Sequence, residues 1–182
     1  MSFFAEDPAD RERVRPRLPE WMHPPEDVVP AGVPVETILV RNDRVALWVA
    51  ELLAYPNGLA FGVVCVRRGD VEPAARPLPL FVDDRGPRFG VAFADGRRAL
   101  AGRGRGGPKE RDPATDALLS YVGGGGTERR MESHLWLWPL PPAGPLSFVF
   151  ASEDDGLEER TVTIDATPAV EASRRATPIW ER

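Results

Sequence analysis

His23 and His134 are the two histidines of this 182-residue chain, and Cys65 is its single cysteine. A protein zinc site needs three or four such ligands at recognisable spacing. These three stand far apart, so no metal site and no cofactor are assigned. Cys65 lies in the apolar run Gly62-Val63-Val64-Cys65-Val66. Reactive thiols need accessible, cationic surroundings, so Cys65 reads as a small buried hydrophobe. None of Ser120, Ser133, Ser147, Ser152 and Ser173 sits in a G-x-S-x-G elbow. The acid pairs Asp83-Asp84 and Asp154-Asp155 read as solvated turns, because acid–base work rests on a spatial pairing. No catalytic residue follows. The reading leans away from an enzyme and towards a binding or structural domain, with a hydrolase or transferase of unrecognised site as the alternative.

Two groups remain as candidates for binding. His134, Trp136 and Trp138 fall on one face of a strand, with Leu135 and Leu137 on the other. An exposed row of this kind would stack on a ligand or partner. A buried role is favoured, since large aromatics dominate buried area and two exposed indoles make a large apolar patch. The second group is a basic patch of Arg97, Arg98, Arg103 and Arg105. It adjoins Gly102-Arg103-Gly104-Arg105-Gly106-Gly107, which lacks the spacing of a phosphate loop. It resembles an RGG segment of the kind that binds single strands. A flexible loop is the favoured reading of so much glycine, and nucleic-acid binding stays a second alternative.

Lys109 is the only lysine among 23 basic residues. That bias reads as a GC-rich genome and weakens arguments from arginine abundance. Net charge is −5, which sets aside the chain as a whole as a polyanion binder. The charge is polarised: residues 85–111 are strongly basic and residues 153–171 strongly acidic.

The elements that would position these residues read as short strands. Residues 1–32 are Pro-rich and read as an extended arm with Trp21 and Met22 as anchors. A single domain follows over 33–182. A run from Val33 ends at Arg41, and Asn42-Asp43 turns the chain. Residues 44–54 are apolar on both alternating faces, as in a strand covered on both sides; a buried helix is the competing reading. Tyr55-Pro56-Asn57-Gly58 then makes a hairpin with the run Leu59 to Val66. A loop covers 67–79, and Leu80–Val82 reads as a short strand. Phe89, Val91 and Phe93 alternate before the Asp95-Gly96 turn, with a return strand from Arg97 to Leu100. Residues 101–131 are expected to be irregular and flexible, with at most one short element at Asp116 to Val122. Strands at Glu132–Leu140, Leu146–Ala151 and Arg160–Asp165 follow. A helix is expected over 168–177, with Thr167 as its cap and Pro168 in its first turn. The expected fold is mainly β: an antiparallel, Ig-like or Greek-key sandwich with one short C-terminal helix.

The start of the chain has no basic segment followed by an apolar run, and no stretch is long enough to span a membrane. With a lone cysteine this predicts a cytoplasmic protein. FADGRRA (93–99), the glycine run at 123–126, LWLWPLPPAGPLSFVF (135–150) and AVEASRRATPIW (169–180) together resemble a group of small uncharacterised actinobacterial proteins, as does AYPNG (54–58). The resemblance implies a bacterial, stand-alone domain and carries over no site residue. The partner is expected to be another protein or a second copy, with a symmetric dimer slightly favoured over a monomer whose Pro-rich arm, residues 8–32, is docked over a sheet edge.

Overall fold

A computed structural model describes residues 19–69, 87–102, 111–153 and 156–180. Its elements are β1 (Val28–Val29), β2 (Ala31–Gly32), β3 (Thr37–Arg41), β4 (Val45–Tyr55), β5 (Gly58–Arg67), β6 (Arg88–Ala92) and β7 (Arg98–Gly102). After these come β8 (Leu118–Gly126), β9 (Arg130–Trp138), β10 (Pro145–Ser152), β11 (Leu157–Asp165), α1 (Thr167–Ser173) and β12 (Thr177–Pro178). Among the described residues the fold is mainly β with one short helix. Among the described residues, no helix is long and apolar enough to cross a membrane.

Among the described residues, ten strands form one continuous sheet in the order β11-β10-β6-β7-β8-β9-β5-β4-β2, and β3 also pairs with β4. All neighbours are antiparallel except β7 and β8, which pair in parallel at Ala101 and Gly102. Two separate sheets were expected. Instead, one sheet curls on itself, and β11 and β3, near its two ends, lie close together. Curling lets one face of every long strand reach a common core. Phe61 of β5 packs on Phe89 of β6 and Phe148 of β10, with centroids 6.2 and 5.6 Å away. Burying each such ring contributes about 2–3 kcal/mol.

Alternation decides which side chains enter that core. On β5, Leu59, Phe61, Val63 and Cys65 point in; on β9, Met131, Leu135 and Leu137 do. β4 starts with Val45, Leu47 and Val49 inside and finishes with Leu52 and Ala54 inside. That change of parity needs one extra residue. The register slips between Val49 and Glu51, and this bulge keeps both halves of the strand amphipathic in the same sense.

The hairpins expected from sequence are present. Tyr55 pairs with Gly58 across Pro56-Asn57. The second hairpin closes with Phe93 and Arg97 bonded across the three-residue loop Ala94-Asp95-Gly96, Gly96 having φ +89°. Asn42 Oδ1 accepts from the amides of Arg44 and Val45, both at 2.8 Å. Residues 45–55 are a strand, as favoured, and not a helix.

Two expectations change. The segment 101–131 contains β8, and its glycines 123–126 pair with Met131–His134 of β9. Glycine lowers strand propensity, but the ladder to β9 supplies the order locally. The helix is Thr167–Ser173, shorter than expected; Thr167 lies inside it, and Ala166 takes the cap position without a side-chain bond. Asp165 Oδ1 accepts from Thr167 N at 2.9 Å instead. Residues 28–32 of the arm pair with the domain, Val28–Val29 with Thr177–Pro178 and Ala31–Gly32 with Ala54 and Leu53, so Ala31 and Gly32 lie along the β4 edge. The strand expected at Leu80–Val82 lies outside the described residues.

Candidate binding face

β9 sits between β5 and β8, and its even-numbered side chains point away from the core. Arg130, Glu132, His134, Trp136 and Trp138 therefore line up on the outer surface of the sheet, with Trp48 of β4 two strands away. The expected row exists, and it divides into two halves.

At the turn end the row is covered. Trp136 is 0% and Trp138 6% exposed. Neither belongs to the main core cluster; they form a second apolar layer on the opposite face. Trp136 lies against Gly58, where a Cβ would come within 2.5 Å of the indole. Tyr55 meets Trp136 edge-on at 5.5 Å, and burial pushes the Tyr55 hydroxyl above its usual pKa of 10.0. The cover is the segment 19–22, a turn closed by Met22 N donating to Pro19 O. Trp136 Nε1 donates to the Glu20 carbonyl at 3.0 Å. Asn57 Nδ2 donates to Glu20 Oε2 at 3.3 Å, and the Arg111 guanidinium lies 5.6 Å over the Trp21 ring. Stacking of a ligand directly on Trp136 is blocked while this cover is in place.

At the other end the row is open. His134 and Glu132 are both solvent-accessible, with Nε2 and Oε1 3.9 Å apart. The Arg130 guanidinium lies 5.4 Å over the Trp48 ring. Val64, which lies between Trp48 and Glu132 in register, is fully buried on this outer side. His134 is flanked by Gly62 on β5 and Gly123 on β8, so no side chain walls it in. The result is an open polar–aromatic surface. Arg130, Glu132 and Trp48 carried no signal in the sequence reading, because their juxtaposition depends on the β4–β5–β9 register.

The basic patch is only partly assembled. Arg97 is committed to the fold: its Nη2 lies 2.6 Å from Asp95 Oδ2, its Nη1 donates to the carbonyls of Pro113 and Asp116, and its guanidinium covers the Phe93 ring. The Arg97 hydrogen bond holds the Asp95 carboxyl below the usual carboxylate range. Arg98 is exposed. Arg103 and Arg105 lie outside the described residues.

Cys65 is buried, as read from its neighbours. One open concavity of about 400 Å³ lies between residues 32–35 and 50–53. Among the described residues, Glu51 is its only charged lining residue. Among the described residues, no group of three His, Cys, Asp or Glu side chains is placed to hold a metal ion. Comparison of the chain with protein-family models, curated proteins and solved structures finds no match.

Proposed function

We propose that this protein is a binding or interaction domain that recognises another protein through the open half of the β9 face. The observation that carries this reading is the Arg130–Trp48 stack beside the Glu132–His134 pair. Arginine and tryptophan are the side chains most enriched at recognition hot spots. Here they stand on β9 and β4 of one hydrogen-bonded sheet, with β5 between them. The shallow concavity and the buried thiol favour binding over catalysis.

The ligand is a protein surface with acidic and apolar character, chosen by the Arg130 guanidinium and the Trp48 ring. A cytoplasmic location, a bacterial source and a two-fold dimer belong to the same proposal. So does description of the curled sheet as a sandwich, which the packing of Phe61 on Phe148 supports. Nucleic-acid binding through the arginine patch is disfavoured, because Arg97 is engaged within its own hairpin.

The test is co-purification from the native host of the wild-type chain and of an Arg130→Glu variant, with mass spectrometry of both. A partner retained by the first and lost by the second supports the reading. Identical partner sets, or hydrolase or transferase turnover that disappears in His134→Ala, would overturn it.

A further inference from the structure

The covered half of the β9 face has the form of a binding site with an occupant. Its floor is Trp136 lying on Gly58, its wall is Tyr55, and its rim carries Asn57 and Arg111. The turn 19–22 fills it through a carbonyl on Trp136 Nε1, a carboxylate on Asn57 and an indole under Arg111. Two polar atoms at the rim stay buried without a hydrogen-bond partner among the described residues while that turn is in place: Asn57 Oδ1, an acceptor, and Arg111 Nε, a donor. Leaving such atoms unpaired is unfavourable. The intramolecular occupant thus matches the shape and chemistry of the site but does not complete its hydrogen bonds.

We infer that the shelf formed by Tyr55, Trp136, Asn57 and Arg111 is a recognition site for an acidic, aromatic-bearing turn in a protein partner, and that residues 19–22 are its in-cis cover. The partner turn repeats what Pro19-Glu20-Trp21-Met22 supplies: a carbonyl for Trp136, a carboxylate for Asn57 and a ring for Arg111. It adds an N–H for Asn57 Oδ1 and an acceptor for Arg111 Nε. The cover competes with it, so the apparent affinity of the free site is lowered by the fraction of time the cover is open. This site is separate from the Arg130–Trp48 end of the face and stands or falls without it.

The probe is a labelled synthetic peptide with the sequence of residues 17–27, titrated by fluorescence anisotropy against the full chain. Trp21→Ala in the full chain loosens the cover. Circular dichroism and thermal melting confirm that each variant is folded. Peptide binding is expected to be about tenfold tighter to Trp21→Ala than to wild type, as for a cover closed about nine-tenths of the time. The Trp136 indole N–H resonance is expected to shift on binding. A peptide carrying Glu20→Ala and Trp21→Ala is expected to lose binding, and Arg111→Ala in the protein to weaken it several-fold. Equal affinity for wild type and Trp21→Ala, equal binding of the substituted peptide, an unmoved Trp136 resonance or no binding at all overturns the inference. So does a change of sedimentation from monomer to dimer in Trp21→Ala, which would make the occupant a second copy.

Discussion

Phe61 on β5 and Phe148 on β10 meet with ring centroids 5.6 Å apart at an interplanar angle of 67°, although β6, β7, β8 and β9 lie between their strands in the hydrogen-bonded order. The contact crosses the core, and the curl of the sheet makes it. Either Phe→Ala change is expected to lower stability by about 3–5 kcal/mol. A double-mutant cycle in denaturant should return a coupling of about 0.5–1.5 kcal/mol. Additive losses would mean that the two faces do not close on each other.

Gly126 adopts φ +155°, and a Cβ there would run into the Arg130 carbonyl. Gly125, beside it, has open space around the same position. Gly126→Ala is expected to cost about 1–3 kcal/mol, and Gly125→Ala less than about 0.5 kcal/mol. Equal unfolding midpoints for the two variants would contradict the ordered β8–β9 ladder.

Two exposed turn carboxylates carry acid sensitivity. Asp95 is held below its ordinary pKa of 3.8 by the Arg97 hydrogen bond, and Asp165 likewise by Thr167. In each case the folded pKa lies below the unfolded one. Their contribution is therefore complete above the unfolded value and is lost as pH falls through the folded value. Stability should decline below about pH 4, and less steeply in an Asp95→Asn, Asp165→Asn double variant. NMR titration of Arg97→Ala should show the Asp95 midpoint moving up. An unchanged midpoint would remove Arg97 as the cause.

Ala31 and Gly32 pair with Ala54 and Leu53 and cover that stretch of the β4 edge. Deleting residues 1–32 leaves its peptide groups unpaired, and an open edge invites strand addition. The truncated chain is expected to scatter light in a concentration-dependent way while the intact chain does not. Sedimentation of the intact chain at its 20.0 kDa mass, unchanged by salt, would exclude a charge-paired dimer.

Local chemistry was legible in the sequence because it acts over a few residues. Pro56-Asn57-Gly58 and Asp95-Gly96 demand their turns, Asn42 closes its own loop, and the alternation of Val45, Leu47 and Val49 marks a strand whatever surrounds it. The same alternation put His134, Trp136 and Trp138 on one face. What covers that face was not legible. Burial of Trp136 depends on Glu20, 116 residues away in the chain, and no local pattern records such a partner. The bulge at Ala50, the strand made from Gly123–Gly126 and the meeting of Trp48 with Arg130 are likewise products of register between strands. Turn type is decided by the φ preferences of adjacent residues. Register, curl and cover are decided by which distant faces must be buried together, and only the tertiary structure resolves that competition.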